Sequence, residues 1–194
     1  ELQVDNEYIM SAADLCTIDV LDQVLDSGAT VFKIEGRGRS SDYVYTVVES
    51  YRKAFDALLD GTYTREEALV WKEQLKTVFN RGFWEGYYLG RTMGEWSDVH
   101  GSKATKKKKF LGPCKKYYSN RGIGAFLIQT GQVSEGDELL VTGPTTGALT
   151  FRAEELRLDD ERVKQVDKGG LFSTPVPEKV RPSDKLYKLE AVVR

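Results

Sequence analysis

Cysteine and histidine are scarce: the 194 residues contain two cysteines, Cys16 and Cys114, and one histidine, His100. The cysteines lie far apart, and neither has a Cys or His neighbour at metal-ligand spacing, which argues against a disulfide framework and a self-contained zinc site. No metal site is expected in this chain. With one histidine, in a Gly-rich stretch, no Ser-His-Asp or Cys-His arrangement can be assembled, nor does a paired-carboxylate one present itself. Long apolar runs are also lacking. None approaches the ~20 residues a membrane helix needs, and the N-terminus has neither the basic nor the apolar region of a signal peptide. The expected location is cytoplasmic, with no membrane partner. Charge of one sign is absent too: 28 Lys plus Arg against 30 Asp plus Glu leave a net charge of -2, so overall charge names no partner. Finally, the sequence opens on Glu1 rather than Met and a strand-like run, Tyr8 to Met10, follows at once. The expectation is a piece cut from a longer protein.

What is present divides into two styles. Up to about residue 80 the pattern is strand, helix, strand, helix, helix; after about residue 105 it becomes short strands separated by Gly and Pro. Ser11 with Asp14 resembles a capping box opening a helix, whose apolar face is Leu15, Ile18, Leu21, Val24 and Leu25 and whose end is Ser27-Gly28. Thr30 to Ile34 is β-branched and aromatic enough for a buried parallel strand. A second helix is predicted from Asp42, with Val44, Val47, Val48, Tyr51 and Phe55 as its stripe, and a third over Thr64 to Phe79, with Ala68, Trp71, Leu75 and Val78 inward. Gly82, Gly86, Gly90 and Gly94 fit turns anchored by aromatic residues better than a helix, since each glycine costs a helix roughly 1 kcal/mol against Ala. Strands are predicted at Phe126 to Gln129, Glu138 to Val141, Ala148 to Phe151 and Lys185 to Leu189, a spacing that suggests a small barrel. Pro175, Pro177 and Pro182 lack a donor N–H and belong to edges or connections.

The run from Lys33 to Ser41 holds the chemistry. If Thr30 to Ile34 is a strand whose Phe32 and Ile34 pack under helices, Lys33 and Glu35 project the other way, into a barrel or its mouth, where charge is costly unless paired or used. Gly36 and Gly38 let backbone approach a ligand, and Arg37 and Arg39 can clamp a carboxylate or phosphate. A structural ion pair of Lys33 and Glu35, with the arginines tying down the loop, explains the residues equally well.

Lys33-Ile34-Glu35-Gly36-Arg37, then Tyr43-Val44, Val47-Val48 and Tyr51 to Asp56, resemble the late barrel segment of the collagenase-like peptidases of family U32. Asn80-Arg81-Gly82-Phe83 and Gly86 to Gly90 match the next landmark, and Ser11 with Asp14-Leu15 the one before. The resemblance implies βα units from the end of a TIM-like α/β barrel in residues 1–80, joined by a Gly/aromatic connection, 81–104, to a small all-β barrel, 105–194. It also implies a missing upstream barrel half as partner. An iron-sulfur cluster, held in several family members, would belong to that half; none is expected in this segment. Lys33 and Glu35 become the catalytic candidates, Glu35 orienting groups or moving a proton, and Arg37 and Arg39 the candidates for substrate or anion binding. Other relatives act in hydroxylation of transfer RNA, ribosomal RNA or ubiquinone precursors. Residues 115–190 resemble the second-domain β-barrel of GTP-dependent translation factors, through Gly122-Ile123-Gly124 and Gly136 to Gly147.

Between Val99 and Ser134 there is no Asp or Glu, while Lys106, Lys107, Lys108, Lys109, Lys115, Lys116 and Arg121 fall there with Tyr117 and Tyr118 interleaved. Basic residues beside aromatics suit phosphates and stacked bases. A solvated lysine run that keeps an edge strand unpaired is the competing explanation. The expected function is therefore the C-terminal part of a peptidase, inactive alone, with a β-barrel that binds or positions a peptide substrate. The alternative is an RNA-positioning module of a hydroxylation protein. An opened barrel would also expose apolar faces, so self-association of the fragment is expected.

Overall fold

A computed structural model describes residues 12–91, 93–97 and 101–192, which fall in two units, Glu1–Thr105 and Lys106–Arg194. The expected strand Tyr8 to Met10, the cap residue Ser11 and His100 lie outside the described residues.

Among the described residues, the first unit is a short parallel pair with three α-helices. Asp14–Leu15 (β1) pairs in parallel with Phe83–Trp84 (β2), Asp14 opposite Phe83. Asp14 is thus a strand residue, not part of a helix N-terminus; the helix over residues expected from Ser11 begins only after a 3-10 turn, as Leu21–Asp26 (α1). The turn brings Ile18 and Leu21 into the core, where both are fully buried. Gly28 closes α1 at φ 87°, its N–H donating to the Leu25 carbonyl. Two long helices follow, Ser41–Leu59 (α2) and Arg65–Leu75 (α3). Thr64 caps α3 by accepting the Glu67 N–H, and Glu66 and Glu67 complement the dipole of its first turn. Ala54 of α2 and Leu75 of α3 close on Cys16, Ile18 and Leu21, with Tyr51, Phe55, Trp71 and Phe83 around them.

Thr30 to Ile34 does not form the expected strand. Val31 is 87 % exposed and the segment is irregular, held at Phe32 by a ring contact of 5.0 Å with Phe55. A buried parallel strand is made by neighbours on both edges and both faces, and among the described residues none pairs with this run. For the same reason the stripe of α2 is half open: Val47, Tyr51 and Phe55 reach the core while Val44 and Val48 stay exposed. Apart from β2, the glycine-rich stretch is turns and irregular chain among the described residues, with Gly82, Gly86 and Gly90 at positive φ.

The second unit is antiparallel. Its strands are Lys106–Tyr118 (β3), Ile123–Leu127 (β4), Gln132–Ser134 (β5), Glu138–Gly143 (β6), Gly147–Arg152 (β7), Leu156–Leu158 (β8), Glu161–Val163 (β9), Gln165–Asp167 (β10), Leu171–Pro175 (β11) and Lys185–Ala191 (β12). Eight of them form one sheet in the order β7-β6-β12-β3-β4-β11-β8-β9, and β5 pairs with β10 as a separate ribbon. The sheet and ribbon share one core, since Val133 and Val166 of the ribbon lie with Phe126, Leu139, Leu156, Phe172 and Leu186. Phe126 and Phe172 meet at 5.8 Å between ring centroids at its centre. The chain is thus a mixed α/β protein with a sheet-rich second part.

The long strand β3 was hidden in the sequence by its lysines. Lys106 to Pro113 pairs with β12 on one edge, and Cys114 to Tyr118 pairs with β4 on the other. Where the pairing passes from one to the other, Gly112 is packed so closely that a β-carbon would come within 1.8 Å of the Leu127 carbonyl oxygen. Between β8 and β9, Asp159 and Asp160 turn the chain at φ 51° and 67°, the pattern of a tight hairpin.

Candidate functional site

A cleft of about 1140 Å³ opens on the first unit. It is lined by residues of the loop 29–39 and of α2, together with Asp14 and Leu15 of β1 and Arg81. Phe32, Ile34 and Val48 supply apolar surface; Lys33, Glu35, Arg37, Arg39, Arg81 and Asp14 supply charge.

The structure brings these charged groups together differently from the sequence expectation. Lys33 and Glu35 do not point into a barrel. Their side chains are 86 % and 66 % exposed, form an ion pair at 3.7 Å, and Glu35 Oε1 accepts the Arg37 N–H at 2.7 Å. Such an exposed pair stabilises little. The Arg37 side chain extends from this turn into the open and has no ion-pair partner among the described residues. Arg39 is the fixed member: its guanidinium lies 4.3 Å from the Phe79 ring centre and 5.1 Å from that of Tyr43, and its Nη2 donates to Asp14 Oδ1 at 3.3 Å. It ties the loop to β1.

Asp14 and Arg81 were not among the sequence candidates. Asp14 Oδ1 also accepts from Arg81 Nη2 at 3.4 Å, and Asp14 Oδ2 accepts the Arg81 backbone N–H at 2.9 Å. One carboxylate therefore serves two guanidiniums from segments that are far apart in sequence. The landmarks Asn80-Arg81-Gly82-Phe83 and Asp14-Leu15 carried the only signal of this, and neither revealed that the two residues are partners. Arg81 Nε is buried without a hydrogen-bond partner.

Behind the cleft, Tyr51 donates to Cys16 Sγ at 3.9 Å and accepts the Thr17 N–H at 3.0 Å. Burial raises the pKa of both groups, so at neutral pH Cys16 is a thiol and Tyr51 a phenol. Neither is an activated nucleophile. Burial also raises the Tyr43 hydroxyl, against the opposing effect of Arg39.

In the second unit the basic run is divided. Lys106 bonds Glu138 at 2.7 Å, Lys109 bonds Glu190 at 2.7 Å, and Lys108 lies 5.8 Å from the Tyr187 ring centre. Because neighbours in a strand point to opposite faces, Lys106 and Lys108 cannot share a surface with Lys107 and Lys109. Further along β3, Tyr117 packs on the core, whereas Tyr118 is exposed with Lys116 4.7 Å over its ring. Tyr118 and Arg121 line a second cleft, of about 1040 Å³, with Arg157, Glu155, Asp159 and Asp160. Lys107 and Lys115 are exposed.

The sequence profile of peptidase family U32 matches residues 1–98, half of the chain, including every residue of the first cleft. The chain belongs to peptidase family U32. It is 50 % identical over 190 residues to a Porphyromonas gingivalis protein named "Collagenase", covering 98 % of this chain and 46 % of that one. It is 26 % identical to a protein of Methanocaldococcus jannaschii named as an uncharacterized protease, covering 100 % of this chain and 47 % of the relative. It is 28 % identical to "tRNA hydroxylation protein P1" of Bacillus subtilis, covering 95 % of this chain and 44 % of the relative. The chain thus spans about half the length of the curated relatives it matches.

Iron-sulfur chemistry was expected only outside this segment. The cysteines here do not fit a cluster: Cys16 and Cys114 belong to different units, both are buried, and burial raises both thiols when a ligand must be a thiolate. Among the described residues no helix is long and apolar enough to cross a membrane.

Proposed function

We propose that this chain is the substrate-holding part of a family U32 peptidase, with the hydrolytic groups supplied by the remainder of the protein. The observation that carries this is the composition of the first cleft. It offers an apolar wall and a charged mouth for a polypeptide, yet the neighbouring thiol and phenol are held neutral. The two-residue parallel pair β1–β2 supports an upstream barrel half as the flanking partner, since parallel strands are stable only when flanked. The relative named collagenase supports peptide as the substrate class. Gelatin hydrolysis tests the proposal. This chain alone is expected to be inactive, and a full-length family member with the same residues active, with KM raised by Arg37→Ala. Cleavage by this chain alone, abolished by Glu35→Ala, would overturn it.

A second reading, an RNA-positioning role for the second unit, is favoured by one feature, the exposed Tyr118 under Lys116 beside Arg121. Transfer-RNA binding at two salt concentrations decides it. Each phosphate contact to a single strand should contribute a slope of about 0.7 in log affinity against log salt, and Tyr118→Ala should remove about 1 to 3 kcal/mol of stacking. Salt-insensitive or absent binding removes this reading.

A further inference from the structure

The mouth of the first cleft carries more positive charge than its acids neutralise. Lining the cleft are Lys33, Arg37, Arg39 and Arg81 against Glu35 and Asp14. Arg52, which also borders the cleft, is committed to Asp56 at 2.6 Å. Lys33 and Glu35 cancel each other, which leaves three guanidiniums to one carboxylate. That carboxylate has little left to give: Asp14 Oδ2 is taken by a backbone N–H, and Oδ1 is shared at 3.3 and 3.4 Å. Arg39 is fully engaged by Asp14 and two rings. Arg81 is not, since its guanidinium has one long bond to Asp14 and its side chain is 37 % exposed. Arg37 makes no ion pair among the described residues.

We propose that Arg37 and Arg81 form a carboxylate-binding subsite at this mouth, with the Asp14–Arg39 pair as its rigid floor, and that it captures the C-terminal carboxylate of a peptide. A guanidinium presents parallel donors that match a carboxylate in plane, and Arg39 locked between rings keeps the local charge in place without occupying the space. The adjoining apolar surface of Phe32, Ile34 and Val48 distinguishes this mouth from a bare anion site. It suits the side chain of the residue that bears the carboxylate. An apolar wall gives nothing to a free phosphate. The proposal rests on the peptide-holding reading of the cleft and adds which end of the peptide is held.

The test is calorimetric titration of the chain with an apolar tripeptide bearing a free C-terminus, with its C-terminal amide, with an amidated peptide carrying an internal Glu, and with inorganic phosphate. The free acid should bind at least about tenfold more tightly than the amide, as expected for loss of charge-assisted hydrogen bonds. Arg37→Ala and Arg81→Lys should each weaken the free acid by about three- to tenfold while leaving the amide unchanged. Arg37 is exposed, so its variant tests the subsite without disturbing the fold. Equal binding of acid and amide, no binding of either, or indifference to both variants overturns the proposal. Binding of the internal-Glu peptide as tightly as the free acid, or of phosphate more tightly, also overturns it. Discrimination of acid from amide without gelatin hydrolysis by the full-length protein would leave the subsite standing and remove the peptidase reading. Hydrolysis that needs Arg37, with acid and amide bound equally, would do the reverse.

Discussion

Asp14→Asn isolates what the shared carboxylate contributes. The substitution keeps the shape of the side chain and an oxygen for the Arg81 N–H, but leaves Arg39 and Arg81 facing one another without a counter-charge. Exposed ion pairs are worth about 0 to 1 kcal/mol, and breaking a buried one by removing one partner costs about 3 to 5 kcal/mol. The Asp14 and Arg39 side chains are 16 % and 21 % exposed, which places this cluster between the two limits. The expected loss is about 2 kcal/mol. All three tryptophans, Trp71, Trp84 and Trp96, belong to the first unit, so urea unfolding followed by tryptophan fluorescence reports on that unit alone. With a slope of about 2 kcal/mol per molar urea, the midpoint should fall by about 1 M. Lys33→Ala, which breaks only the exposed pair, should shift it by no more than ordinary surface substitutions do, within about 0.5 kcal/mol. Arg39→Gln should cost less in the Asp14→Asn background than alone, because both remove the same interaction. If Asp14→Asn costs no more than Lys33→Ala, the carboxylate does not organise the cleft, and both the rigid floor and the charge count built on it fail.

Two further outcomes concern the second unit. Burial, reinforced by the nearby Asp184 carboxylate, pushes the Cys114 thiol up to about 11. The folded state thus favours the neutral thiol. That contribution is complete below the ordinary thiol range near pH 9 and is lost as pH rises through about 11. Calorimetric unfolding of wild type and Cys114→Ala between those pH values should show their stability difference shrinking as pH rises; parallel profiles would refute it. Tyr117→Ala, which removes a ring packed on the core, should lower the melting temperature of this unit by a loss of about 2 to 3 kcal/mol. Unchanged melting would mean that Tyr117 is not part of that core.

Features decided within a few residues were legible in the sequence. The stripe of α2 repeats at helical spacing, the start of α3 falls within one residue of the expected Thr64, and β6, β7 and β12 are bracketed by Gly, Asp and Pro turns, whereas β4 lies three residues earlier at its start than the strand expected from Phe126. Features made by distant partners were not legible. Thr30 to Ile34 has the composition of a buried strand, but a parallel strand exists only beside other strands, and here the pair that forms joins Asp14 to Phe83. Asp14 was read as a helix-capping residue because Ser11 lies three positions before it; its real partners, Arg39 and Arg81, come from other segments.

The lysine run makes the same point about charge. Four consecutive lysines look like one basic surface when written in a line. Extended, they alternate between faces, and acids from other strands reach at least two of them: Glu138 of β6 at Lys106 and Glu190 of β12 at Lys109. The opposite happens at the cleft of the first unit. There Lys33, Arg37 and Arg39, from one short run that the sequence already marked, are joined by Arg81 from a distant segment and line the same cleft as two acids. Local potential depends on which counter-charges the fold delivers. That is why the longest basic run in the chain is partly neutralised, while the cleft gains in Arg81 a basic residue, and in Asp14 a counter-charge, that the linear sequence did not assign to it.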